Sequence, residues 1–279
     1  MNIENKKVAL VTGASSGIGE ETTRALLAAG YSVYAAARRL ERMAGLEDAG
    51  ARLLPLDLTD DASIVAAANE VRDEAGRIDV LVNNAGYGSY GAVEDVPMEE
   101  ARRQFEVNLF GAARLIQLLL PLMRSQRSGK IVNVSSMGGK FGEPFGAWYH
   151  ATKFALEGFS DSLRMELTPF GIDVIVIEPG GIKTEWGGIA ANTLLAASGD
   201  SAFGPYARRH AKLFSQAGDR IASPPSVIAR AIRRSVAARR PRTRYAVGGG
   251  ARPLLCIKSL LSDRMFDRLL WTMSQRQSA

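Results

Sequence analysis

Cysteine is nearly absent from this 279-residue chain. A single one, Cys256, excludes an internal disulfide framework and a Cys-rich zinc site. Histidine is almost as scarce. His150 and His210 have no acidic residues at metal-ligand spacing beside them, so a catalytic metal is not expected. No stretch of 18 residues is apolar enough to span a membrane, and nothing before Val8 reads as an export leader. A cytoplasmic protein is the expectation. Helix-turn-helix spacing and aromatic-basic interleaving are missing too, and with them any argument for nucleic acid. There is no internal repeat and no low-complexity linker.

What is present describes a folded α/β chain. Hydrophobic residues make up 46%, and 28 glycines supply many tight turns. The length suits one large domain. The formal charge is +6, but the excess is local: Arg208–Arg244 carries eleven Lys/Arg and one acid, Asp219. That stretch either attracts an anion, a phosphate backbone or a lipid surface, or is a solvated helix face followed by a basic turn.

Short apolar runs predict strands at Lys7–Thr12, Ser32–Ala37, Leu53–Leu56, Ile78–Val82, Lys130–Val134, Asp173–Glu178 and Arg244–Val247. Helical spacing predicts helices at Glu20–Ala29, Leu40–Leu46, Ser63–Ala75, Met98–Met123, Trp148–Leu167 and Ser226–Ala238. One or two short helices are expected within Thr184–Phe214, and an amphipathic tail over Pro253–Met273. Alternating strands and helices predict a three-layer α/β fold, a doubly wound parallel sheet covered on both faces. In such folds ligands sit outside the carboxyl ends of the strands. The Gly- and Asn-rich segments all fall there.

The first of these, Thr12-Gly13-Ala14-Ser15-Ser16-Gly17-Ile18-Gly19, follows a strand and opens a helix. A diphosphate needs a tightly turning backbone at a helix N-terminus. The glycine spacing differs from G-x-G-x-x-G, and no Lys-Ser/Thr follows as in a P-loop. After the second strand stand Arg38 and Arg39, where a carboxylate would repel a ribose 2′-phosphate and a guanidinium pairs with it. Asp57, after the third strand, is placed to accept from an adenine amino group.

Tyr149 and Lys153 are four apart on a predicted helix and share a face. An adjacent ammonium favours the phenolate of a phenol that is otherwise a poor acid–base group at neutral pH. Ser135 ends a strand at the same edge, where a hydroxyl can hold a carbonyl oxygen. Asn108, in mid-helix, is a buried polar residue that needs a partner. His150, about 100° round the helix from Tyr149, reads as a packing or interface residue. His210 reads as a surface residue or a substrate contact.

These motifs, in this order, resemble the short-chain dehydrogenase/reductase family over about Lys7–Thr184 and, less specifically, to about residue 248. The resemblance implies a Rossmann-type single domain. Its catalytic tetrad would be Asn108, Ser135, Tyr149 and Lys153, with Asn83 beginning a sheet-stabilising motif. NADP(H) would be held by Gly13, Ser15, Ser16, Gly17, Ile18, Gly19, Arg38, Arg39, Asp57, Leu58, Asn84, Ala85, Gly86, Tyr149, Lys153, Pro179, Gly180, Ile182 and Thr184. It further implies that Tyr149 exchanges a proton with the substrate oxygen while nicotinamide exchanges hydride with carbon. Ser135 would hold the oxygen. Lys153 would bind the nicotinamide ribose and lower the phenol pKa, and Asn108, at a helix bulge, would position a water. The expected organisation is a catalytic domain over 1–249, with a substrate lid at 184–214, and an amphipathic extension over 250–279. The extension and the stretch Tyr149–Gly158 resemble members acting on steroids, retinoids or other lipophilic alcohols. Substrate contacts are expected from Ser135, Tyr149, Trp186 and Tyr206. A 3-oxoacyl-thioester reductase and a non-catalytic NADP(H) sensor or scaffold are the alternatives. A homodimer or homotetramer is expected, and the extension could also touch a membrane surface.

Overall fold

In the computed structural model the described residues are 6–275, with the side chains of 215–220 left aside. The expectation about an N-terminal leader and the last four residues of the extension therefore lie outside the described residues. The strands are β1 (Val8–Thr12), β2 (Ser32–Ala37), β3 (Arg52–Pro55), β4 (Val80–Asn83), β5 (Gly129–Val134), β6 (Ile172–Pro179) and β7 (Arg244–Val247). They form one seven-stranded sheet in the order β3-β2-β1-β4-β5-β6-β7. Every pairing is parallel. The chain runs outward from β1 to one edge, then crosses back to β4, so the order reverses between β1 and β4.

Alternate strand residues feed two cores. Leu10, Leu81, Ile131 and Val174 face α3 (Asp61–Ala75), α5 (Gly111–Gln126) and α6 (Ala147–Leu167). Val11, Val82, Val132 and Ile175 face α1 (Gly17–Ala28), α2 (Ala44–Glu47) and α9 (Ser226–Ala237). Burial on both faces is why these strands read as unbroken apolar runs. Local chemistry sets the helix ends. Asp60 accepts from the Ala62 N–H at 3.0 Å to start α3, and Gly76, at φ +62°, ends it.

Most element ends lie within a few residues of expectation, and three differences change the element itself. The helix predicted at Leu40–Leu46 is a 3-10 turn, Leu40–Met43, running into α2. The long central helix comprises α4 (Met98–Phe105), a π-helical turn at Glu106–Phe110 and α5. By length and composition Met98–Gln126 is apolar enough to cross a membrane, contrary to the expectation that no such stretch exists. Its apolar residues Leu115, Ile116, Leu119 and Met123 pack on the sheet instead, and Arg114 pairs with Asp61 at 2.7 Å. The tail is two helices, α10 (Ala251–Leu260) and α11 (Asp263–Gln275), broken where Leu261 turns extended at ψ 146°.

Candidate active site

The carboxyl ends of β1, β4, β5 and β6 bring the predicted motifs together. At the glycine loop, Gly13 and Gly17 hold φ of +67° and +56°, which side chains rarely adopt. A Cβ on Gly13 would lie 2.8 Å from the Ala85 backbone, and one on Gly19 would strike the Gly13 carbonyl. Ser16 begins α1 without capping it through its side chain. The first N–H groups of α1 thus have no side-chain cap, as a diphosphate site requires. Asn84 locks the loop: its Nδ2 donates to Thr12 O at 3.0 Å, while the Asn84 and Ala85 N–H groups donate to Thr12 Oγ1 at 3.1 and 3.0 Å. Asn83 donates to Asn133 at 2.9 Å and ties β4 to β5.

Arg38 and Arg39 stand exposed beyond β2. Burial works against the Asp57 charge, but the Thr59 N–H and hydroxyl, at 2.9 and 2.8 Å, and Arg38 hold its carboxyl below the usual range. Leu58 is buried in the core beside them. Beyond β6, Gly180 and Gly181 donate to Val247 O and Gly249 O at 2.9 and 2.8 Å. Ile182 pairs with Ser223, and Thr184 places its methyl group over Gly17. This cradle fits a dinucleotide.

Asn108 lies in the π-helical turn, 2% exposed. Its amide accepts from Tyr87 N–H at 3.0 Å and donates to Tyr87 O at 2.9 Å and Thr152 Oγ1 at 3.1 Å. It therefore fixes the turn after Gly86 against α6. Lys153 donates to Val134 O at 2.9 Å, and its Nζ is 5.9 Å from the Tyr149 ring centre.

The serine differs from expectation. Ser136, not Ser135, is the serine that acts on the Tyr149 phenol, favouring its ionised form against the effect of burial. Ser136 is extended, at φ −167° and ψ 159°, so neighbouring side chains point to opposite faces. Ser135 Oγ is buried, unpartnered and turned toward Gly139 on the far side. The Ser-Ser dipeptide made the two indistinguishable in sequence.

The pKa expectation also changes. Burial pushes the Tyr149 phenol up to about 12, and Lys153 is not among the groups that lower it. Trp186, 5.2 Å away ring to ring, covers the phenol and leaves Tyr149 7% exposed. Burial likewise pulls Lys153 from 10.5 down to about 8, against the pull of Glu157. Below about 8 the folded chain holds a buried charge at a cost of ~3 kcal/mol, and that cost vanishes as the pH nears the unfolded value of 10.5. Lys153→Met is therefore expected to raise the unfolding free energy at pH 7 by ~2 kcal/mol, a gain that fades above pH ~10. Urea denaturation at both pH values checks this, and equal stability at pH 7 would count against a buried ammonium.

The segment expected to form a lid folds as α7 (Trp186–Ser198) and α8 (Gly204–Arg220). Trp186 joins Tyr90, Tyr149 and Phe214 in one cluster with Phe145. Tyr206 does not reach it: it is 41% exposed and packs 5.7 Å from Trp271 on α11. His210, on α8, is 2% exposed, which overturns the reading of it as a surface residue. Sequence reasoning missed Glu185, which opens the lid and pairs with Arg42 at 2.6 Å and Arg39 at 3.9 Å. Its only signal was an acid beside a family-like segment. The extension rests on Phe141 through Phe266 and Leu270, and α11 braces α8. Arg230, Arg233, Arg239, Arg240 and Arg242 lie exposed on α9 and at the amino end of β7, away from this edge. They form a solvated face and a basic turn.

The short chain dehydrogenase family model matches residues 7–192. An uncharacterized oxidoreductase of Bacillus subtilis is 38% identical over 275 residues, 95% of this chain and 98% of its own length. An NADPH-dependent 3-dehydrocapnine reductase of Ornithobacterium rhinotracheale is 33% identical, over 95% of this chain and 96% of the relative. A 3-ketodihydrosphingosine reductase of Bacteroides thetaiotaomicron is 41% identical, over 64% of this chain and 65% of the relative. Among solved structures, a short-chain dehydrogenase from Streptomyces avermitilis superposes with a TM-score of 0.78 at 37% identity, covering 92% of this chain and 94% of that one. A metagenomic short-chain oxidoreductase in complex with NADP superposes at 0.68 with 28% identity, covering 86% and 95%.

Proposed function

Because this chain belongs to the short-chain dehydrogenase family, we propose that it is an NADP(H)-dependent oxidoreductase acting on a lipophilic ketone or the matching secondary alcohol. The observation that carries this reading is the Ser136–Tyr149–Lys153 grouping at the carboxyl edge, beneath an aromatic wall of Tyr90, Trp186 and Phe214. When bound, nicotinamide supplies or accepts the hydride. Tyr149 gives its proton to the carbonyl oxygen in reduction and takes it back in oxidation. Ser136 holds that oxygen, and Lys153 holds the nicotinamide ribose and the charge beside the phenol. Asn108 keeps the Gly86–Tyr87 turn and α6 in register around them.

Arg38 and the absence of an acid at Ala37 support NADP(H) over NAD(H). One relative is named as NADPH-dependent. Arg38→Ala is expected to weaken NADPH binding about tenfold and to leave NADH binding within twofold. Fluorescence titration with both cofactors reads this, and equal losses would remove the 2′-phosphate assignment.

The lipophilic reading rests on the aromatic wall, and two relatives are named for reducing 3-ketodihydrosphingosine and 3-dehydrocapnine. An apolar pocket selects by buried area, ~25 cal/mol per Å². The test is turnover of a size-graded series of ketones with each cofactor. Large apolar ketones with NADPH should turn over fastest, and faster reduction of small polar ketones would sink the reading. No turnover at all would favour a sensor or scaffold. A thioester reductase gains nothing from the arginines of α9 and the turn before β7, which stand away from the carboxyl edge.

We place this chemistry in a cytoplasmic homodimer or homotetramer. Exposed Phe110, Phe154 and Met165, around α5 and on α6, support pairing through those helices. The extension braces the lid, which supports a role in closing the cleft over a membrane contact.

A further inference from the structure

At the amino end of the sheet a cleft of about 430 Å³ opens between the end of α6, the start of β6 and the turn from α9 to β7. It exists because β7 is short. Arg244, the first residue of β7, pairs with Val176, so Ile172 to Val174 of β6 have no β7 residue opposite and line the gap. Arg239 and Arg242 stand over it from the turn, and Arg164 faces them from α6. Three contacts pin the turn. Lys130 donates to Ala238 O, the Val176 N–H donates to Thr243 O at 2.8 Å, and the Arg242 N–H donates to the Tyr245 hydroxyl at 3.1 Å. Pro241 fixes its own φ between the two arginines. The backbone that carries them is therefore set before any ligand arrives, which lowers the ordering cost of binding.

The charges in this cleft do not balance. Elsewhere Arg42, Arg77 and Arg114 meet Glu185, Asp79 and Asp61 at 2.6, 2.7 and 2.7 Å. Here Arg164 is matched by Asp161 at 2.6 Å, and Asp173, the carboxylate in the wall, by Lys130 at 3.8 Å. Among the described residues no carboxylate pairs with Arg239 or Arg242, so both positive charges are left over. A single carboxylate ligand fills one guanidinium fork and leaves the other charge unmatched. A phosphomonoester carries close to two negative charges at neutral pH and offers three terminal oxygens, enough for two forks. Among the described residues no large apolar side chain lies exposed on α9 or the turn, which argues against a membrane as the source of that phosphate.

We propose that this cleft binds a soluble phosphomonoester through Arg239 and Arg242. It lies at the opposite end of the strands from the nucleotide cradle, so both can be filled at once.

The test is calorimetric titration with phenyl phosphate in saturating NADP⁺, so that the glycine loop and Arg38 are already occupied. Salt at about 0.15 M screens charges more than ~8 Å away. A dissociation constant of ~1 mM or below is expected, with benzoate at least ~10-fold weaker. Arg239→Ala and Arg242→Ala should each weaken phenyl phosphate ~10-fold. Arg242→Lys should weaken it several-fold, because an ammonium keeps the charge and loses the fork. Arg233→Ala, on the exposed face of α9, removes the same charge and should leave the affinity within about twofold. Equal weakening by Arg233→Ala and Arg242→Ala would overturn the site, since a diffuse basic field then accounts for the binding. So would benzoate binding as tightly as phenyl phosphate, or no binding of phenyl phosphate below ~10 mM. Sedimentation with phosphatidic acid vesicles, without binding of phenyl phosphate, would assign the arginines to a lipid surface and overturn it too.

Discussion

Tyr149→Phe is expected to lower kcat by ~10²–10⁴ while the NADPH dissociation constant stays within about twofold. The ring continues to fill its place between Tyr90 and Trp186, so the cleft keeps its shape. What is lost is the hydroxyl whose ionisation Ser136 favours and that the proton must leave. With the phenol at about 12, Tyr149 stays protonated across neutral pH and is ready as an acid for reduction. The titrating neighbour is Lys153, at about 8. Reductive kcat/KM should therefore fall as the pH rises through about 8, where the ammonium is lost, and not near 12. Single-turnover measurements with NADPH report both effects. A Tyr149→Phe enzyme that kept a tenth of the parent rate, with chemistry rate-limiting, would falsify the assignment of the proton to Tyr149.

Ser136→Ala is expected to cost ~10²–10³ in kcat, the usual effect of deleting one preorganised donor at a developing oxyanion. Ser135→Ala should cost less than about threefold, because its hydroxyl is turned toward Gly139, behind the reacting face. The pair is a controlled comparison. Both serines follow β5, both are small and both variants remove one oxygen, so only orientation differs. Melting temperatures within a few degrees of the parent would show that the loss is chemical. The reverse ranking would return the oxygen-holding role to Ser135.

The two serines also mark where sequence stops being informative. Apolar runs alternating with helical spacing suffice to predict a parallel sheet with helices on both faces. Tyr149 and Lys153 are legible as a pair because a helix brings residues four apart onto one face. The glycine loop is legible because Gly13 and Gly17 take conformations that other residues rarely adopt. These are local properties, carried by residues within one or two turns of each other. Which serine meets the phenol depends on the face an extended segment presents, and a shift of one residue inverts it. That face is set by β5 pairing with β4 and β6, not by the dipeptide itself. His210 shows the same limit, since only the packing of α8 over Tyr90 and Phe145 buries it. Tyr206, a few residues earlier on the same helix, faces Trp271 instead. Glu185 finds Arg42 across 143 residues of chain. The sequence by itself determined the elements, their order and the shared helix face of Tyr149 and Lys153, because short-range periodicity encodes them. The tertiary structure alone decided which serine faces the phenol, the burial of His210 and the turn of Tyr206 toward Trp271, because each depends on surfaces that meet only when distant elements pack.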